Sequence, residues 1–218
     1  MNPLFAAILV ALGILFLSRL DQGRGFPVSK ALWVPFAWLL IASSRPVTEW
    51  LVGSVHPETS VEEGSPLDRT ILMLLIALAL VVLSKRMPRI KAILRVNLPI
   101  VLFFLYCLTS VLWSDFPFVT FKRWIRGAAD VAMIMVIITD PQWETAFKWL
   151  LARIGFLLIP LSVLIIRFFP QFGRSYTASG APMWTGVCTD KNGLGAVCMI
   201  YGTALLWQLL PLSSIRQS

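Results

Sequence analysis

The chain has 218 residues, of which 57% are hydrophobic and 14% charged, and its mean hydropathy is +0.78. Soluble domains carry about 25% charged residues, so an ordinary polar surface is excluded; the apolar residues fall instead in blocks near the roughly 20 residues that cross a bilayer. The formal net charge of +8 comes without the aromatic-and-basic pattern of a nucleic-acid module, and basic residues at the cytoplasmic ends of membrane spans account for it.

These features predict an all-α polytopic integral membrane protein, one transmembrane domain over residues 1–218 with about seven spans. The spans run Leu4–Leu17, Leu32–Ser43, Ile71–Ser84, Leu98–Trp113, Trp124–Ile138, Trp149–Phe169 and Gly193–Leu210. Met1-Asn2-Pro3 leads straight into apolar sequence, with neither the basic segment nor the cleavage site of a signal peptide, so the first block reads as a retained helix. The second block is short and contains Pro35, which predicts a kinked or re-entrant segment. Trp33, Trp113, Trp124, Trp143, Trp149 and Trp207 lie mostly near block ends, where indole rings favour the interface. Cys107, Cys188 and Cys198 form no CxxC pair, and His56 is the single histidine, so neither a metal nor a cofactor is called for.

Loop charge sets an orientation. Arg19, Arg24 and Lys30 follow the first block, and Lys85, Arg86, Arg89, Lys91 and Arg95 follow the third. Between them, Ser44–Thr70 carries Glu49, Glu58, Glu62, Glu63 and Asp68 against Arg45 and Arg69. The positive-inside bias puts the first and third connections in the cytoplasm, and the N-terminus, Ser114–Arg123 and Pro170–Asn192 outside. The two later outer segments nonetheless hold Lys122, Arg123 and nearby Arg126, then Arg167, Arg174 and Lys191. Basic residues retained against the topogenic bias point to a phosphate-bearing ligand, or to side chains that reach lipid headgroups.

The first constellation is Trp113-Ser114-Asp115-Phe116-Pro117 followed by Lys122, Arg123 and Arg126. On a helix beginning near Thr120, Lys122 and Arg126 share a face, and such a cluster can surround a pyrophosphate. Asp130, one turn beyond Arg126, reads mainly as its ion-pair partner. The second constellation, Gly180 to Gly195, sets glycines before Asp190-Lys191-Asn192, a pattern that opens a helix whose N-terminus favours an anion. An ordinary capped helix start explains the same residues, with Asn192, Gly186 and Gly195 in structural roles.

At these residues the chain resembles the O-antigen ligases and related exopolysaccharide polymerases. The segment Gly186-x-x-x-Asp190-Lys191-Asn192-x-Leu194-Gly195 is similar to one family signature, and Trp113-Ser114-Asp115-x-Pro117 with Lys122-Arg123 resembles the exopolysaccharide-production branch. The resemblance implies transfer of a glycan from undecaprenyl pyrophosphate to a sugar hydroxyl at the outer face of the bacterial inner membrane. It also implies that Lys122, Arg123 and Lys191 hold the pyrophosphate, with Arg126 and Arg174 as further contacts. The signature often has histidine where Asp190 stands, so Asp190 and Asp115 are weak candidates for a catalytic base. The family's dozen or so spans and later histidine-bearing loop imply that this chain matches the N-terminal half and is inactive alone. Membrane lipid, the lipid-linked glycan and polysaccharide-assembly proteins are the partners implied; nucleic acid is not. A transporter or flippase component for an anionic lipid or solute, or a non-catalytic assembly subunit, would draw on the same charge pattern.

Overall fold

The structure, a computed structural model, describes residues 3–22, 29–52, 65–177 and 179–209. It is almost entirely helical. α1 (Pro3–Gln22) is followed by a 3-10 turn and α2 (Trp33–Ala42), a short α3 (Val47–Val52), α4 (Pro66–Ser84), α5 (Met87–Val96) and α6 (Leu98–Thr109). A second 3-10 turn leads to α7 (Pro117–Ile138), α8 (Trp143–Phe168) and the single turn α9 (Pro170–Gly173). An antiparallel hairpin, β1 (Arg174–Tyr176) and β2 (Pro182–Trp184), precedes α10 (Lys191–Leu209). Each of the seven apolar blocks coincides with a helix. His56, Glu58, Glu62, Glu63 and Arg24 lie outside the described residues.

Several elements depart from expectation. α7 starts at Pro117, three residues before the expected Thr120, because proline supplies a fixed helical φ and needs no N–H in the first turn. Pro35 likewise sits in the first turn of α2, where its missing N–H breaks no ladder, and the apolar block continues through it as helix. α3 and α5 occupy stretches read as loops, and the hairpin lies within the segment read as an outer loop.

Among the described residues, two helices are long and apolar enough to cross a membrane, Pro66–Ser84 and Trp143–Phe168; the pair Met87–Val96 and Leu98–Trp113 makes a third only if its 91° bend is one broken span. α7 is 22 residues long but carries Lys122, Arg123, Arg126 and Asp130 in its first fourteen positions. Only 11% of the α4 span window is buried, and Met73, Leu74, Leu80 and Val81 stay exposed along it. A helix this apolar and this uncovered suits a hydrocarbon surrounding rather than water.

The chain divides into two compact units, Met1–Val28, Leu39–Asp68 and Phe147–Ser218 in one, and Ser29–Trp38 and Arg69–Ala146 in the other. Buried residues of the first include Leu150, Ile154, Leu158, Val187 and Tyr201. Those of the second include Leu32, Trp38, Ala79, Met133 and Val136.

Candidate functional site

In the second unit, the turn before α7 is shaped by Ser114. Its hydroxyl accepts from the Phe116 N–H at 3.2 Å and pairs with the Thr120 hydroxyl at 2.7 Å, while Pro117 opens the helix. This spacing gives the Trp113-Ser114-Asp115-Phe116-Pro117 run a mechanical meaning: a serine that closes the turn and a proline that starts the helix. Asp115 is left exposed at the tip.

Lys122, Arg123 and Arg126 follow on the next turns. The Lys122 ammonium lies 4.4 Å from the Phe118 ring centroid, a cation–π contact along the helix. Arg123 and Arg126 are exposed, and neither has a hydrogen-bond or ion-pair partner among the described residues. The expected Arg126–Asp130 pair does not form. Asp130 instead accepts from the Trp38 indole at 2.8 Å, because Trp38 is buried and needs an acceptor for its N–H. Arg126 therefore keeps its charge uncompensated by the helix that carries it.

The other unit holds the second constellation. Asp190 stands immediately before α10, and its carboxylate accepts the Gly193 N–H at 2.6 Å, so the chain's own anion caps this helix. Asn192 lies exposed in the first turn. Gly186 has φ +57°, and an added Cβ would stand 2.9 Å from the Ser162 Cβ, so this glycine packs against α8. Gly195 is different. A Cβ there would meet nothing within 4 Å, and the residue borders an open groove of about 490 Å³. Pro182, Met183, Trp184, Leu194 and Cys198 line the groove with Gly195, and Lys191 supplies its one charged side chain. Arg174 is engaged elsewhere: its Nε–H donates to the Ile166 carbonyl at 3.1 Å, near the C-terminus of α8.

No family model, curated protein or solved structure significantly matches this chain. What can be said of the site rests on its own chemistry.

That chemistry includes a residue the sequence reading passed over. Arg45 reads from the sequence only as a minor cation in an acidic loop, yet its guanidinium joins Phe172 to the Thr185–Cys188 turn. It donates to the Phe172 carbonyl, to the Cys188 carbonyl at 2.9 Å, to the Thr185 hydroxyl at 3.1 Å and to the Gly186 carbonyl at 3.3 Å. Its own N–H donates to the Val187 carbonyl at 3.0 Å. Thr185, Gly186, Val187 and Cys188 are all buried, so these carbonyls need a donor that water cannot readily provide. No spacing rule connects Arg45 with residues more than a hundred positions on. Cys188 sits inside this clamp; burial first, then the Asp190 carboxylate, pushes its thiol above the usual range, against the opposing pull of Arg45.

The second unit has a comparable clamp. Arg86 donates to Asp140 at 3.3 Å, to the Val136 carbonyl at 3.1 Å, and to the Ser29 and Thr139 hydroxyls, each at 3.3 Å. Arg89 donates to the Thr139 carbonyl at 2.8 Å. Guanidinium groups thus cover the last carbonyls of α7, where the helix dipole favours positive charge.

Proposed function

We propose that the protein is a membrane glycan polymerase or ligase, transferring oligosaccharide from a polyprenyl-pyrophosphate carrier to a sugar acceptor in surface polysaccharide biosynthesis. The observation that carries this reading is the α7 cluster: Lys122, Arg123 and Arg126 within five residues, with both arginines exposed and without partners among the described residues. Like charges at this spacing repel by a few tenths of a kcal/mol per pair, and a bound pyrophosphate relieves that repulsion. The guanidinium forks match paired phosphate oxygens, and fixed cations stabilise the charge that develops on the departing carrier. Lys191, in its apolar groove, keeps the anion-binding role that the resemblance implies, as does Arg174 through the guanidinium nitrogens beyond its Nε. Asp190 is best read as a cap, and Asp115 is the freer of the two candidate bases.

In this reading seven helices cross the bacterial inner membrane with the motif segments outside. Two joins support that alternation. Arg45, from one expected outer connection, is hydrogen-bonded to the Phe172–Cys188 segment of another. Ser29, Arg86 and Asp140 come from the connections after the first, third and fifth blocks, which alternation puts on one side, and they meet at one guanidinium.

The reading is tested by incubating membranes containing the protein with polyprenyl-pyrophosphate oligosaccharide labelled in the glycan. Binding of the donor by the chain is expected, with label appearing on a sugar acceptor where the membranes also hold the polysaccharide-assembly proteins. Movement of intact donor across the bilayer without transfer would replace the enzyme with a transporter. Neither binding nor transfer would leave an assembly subunit.

A further inference from the structure

We propose that α5 is an interfacial helix that docks on an anionic phospholipid headgroup layer, at the end of its unit where α7 terminates. This surface is separate from the glycan chemistry and rests only on the protein being held in a membrane. At 100° per residue, Met87, Ile90, Ile93 and Leu94 form one apolar stripe, with Arg89 on one edge and Lys91 and Arg95 on the other. No residue of α5 is fully buried: Met87, Lys91 and Arg95 are exposed, and Ile90, Ile93 and Leu94 are half-buried. From Thr70 to Ser114 the chain has Lys85, Arg86, Arg89, Lys91 and Arg95 and no acidic residue, so the surface complements negative charge.

Geometry fixes the depth. Arg86 and Arg89 tie the start of α5 to the last carbonyls of α7, beside the end of α4, which is long and apolar enough to cross a bilayer. From there α5 meets the following helix at 91°. A helix anchored at the end of such a span and turned across the next one lies along the membrane plane. Its Lys91 and Arg95 edge then reaches headgroup phosphates while its stripe meets the upper acyl chains. Arg86 and Arg89 are occupied by protein acceptors, which leaves Lys85, Lys91 and Arg95 for the lipid.

The test uses the full chain in nanodiscs, with Cys107 and Cys198 replaced by serine and single nitroxide-labelled cysteines at Met87, Leu94, Ala92 and Leu80. Accessibility to oxygen and to a water-soluble nickel chelate is read for each, in neutral and in phosphatidylglycerol-containing bilayers. Leu80, exposed on α4, reports whether the chain is in lipid at all. The expected pattern is Leu80 deep in lipid, Met87 and Leu94 at headgroup depth, and Ala92 in water. Replacing Lys85, Lys91 and Arg95 by glutamine should lower the docked-to-undocked ratio at Met87 and Leu94 roughly a hundredfold, at the ~1 kcal/mol each basic residue contributes. Neutral bilayers should have the same effect on the unmodified chain. With Leu80 in lipid, Met87 and Leu94 reading as aqueous as Ala92 would overturn the proposal. So would deep lipid at all three sites regardless of charge, which would make α5 half of a broken span. An aqueous Leu80 would overturn the membrane reading beneath it.

Discussion

Replacing Arg45 by methionine should open the Thr185–Cys188 loop while leaving the helices in place. Methionine keeps much of the side chain's bulk but removes the donors to Phe172, Thr185, Gly186 and Cys188. A hydrogen bond to a charged group contributes about 1.5–3 kcal/mol, and a buried acceptor left unmet costs about 1–3 kcal/mol. Water can reach the Phe172 carbonyl, whose residue is exposed, whereas Thr185, Gly186 and Cys188 are buried. The four bonds share one group and do not add, so the local opening energy should fall by about 2–4 kcal/mol. That raises the open population roughly 30- to several-hundred-fold. Cys188 reports it directly, because its thiol is buried, donates to the Ser43 carbonyl at 3.5 Å, and is held protonated by burial and by Asp190. In a background with Cys107 and Cys198 replaced by serine, maleimide should label Cys188 slowly at pH 8 and at least tenfold faster after Arg45→Met. Arg45→Lys should fall between, since an ammonium cannot span the same acceptors. Equal labelling rates in all three proteins would refute the clamp.

Other substitutions separate packing from capping. Gly186→Ala forces a left-handed φ on alanine, about 1–2 kcal/mol, and drives its Cβ to within 2.9 Å of Ser162; detergent thermal unfolding should show a lowered Tm. Adding Ser162→Gly should then show a favourable coupling of roughly 1 kcal/mol in a double-mutant cycle. Asp190→Ala should cost about 1 kcal/mol through the lost cap and Asp190→Asn much less; loss of glycan transfer in Asp190→Asn at unchanged Tm would instead give Asp190 a chemical role. Asp140→Ala leaves Arg86 without its carboxylate and should destabilise by about 2–3 kcal/mol, below the usual range for breaking a buried pair because three neutral acceptors remain.

Apolar block length and turn chemistry made most helices legible in the sequence. Each block carries its own boundary signals, and local signals such as Pro117 and Asp190 mark helix starts within a residue or a few. α5 was hidden because its basic residues read as a loop, although Met87, Ile90, Ile93 and Leu94 already held the helical period. The hairpin was hidden for a different reason: its strands are three residues each and are fixed by register, Arg174 opposite Trp184, which local propensity does not encode. The site was legible only where its parts are sequential. Lys122, Arg123 and Arg126 share one helix and could be read from spacing. Arg45 with Cys188, Trp38 with Asp130, and Arg86 with Asp140 are long-range pairings that only folding brings together. Asp130 shows this: its partner is an indole 92 positions away, not the arginine one turn before it.

The cluster on α7 is tested most directly by exchanging Arg123 for lysine and measuring binding of a polyprenyl pyrophosphate to the full chain. A forked arginine on phosphate oxygens gives up a charged hydrogen bond worth about 1.5–3 kcal/mol, so Arg123→Lys should weaken binding about ten- to a hundredfold, and Arg126→Ala by a similar factor. Lys191→Ala, measured beside them, reports on the groove of the other unit. An arginine that merely reaches for lipid headgroups would accept lysine almost silently. Unchanged affinity in Arg123→Lys and Arg126→Ala, with insertion and folding preserved, would contradict the pyrophosphate site and return the cluster to lipid anchoring.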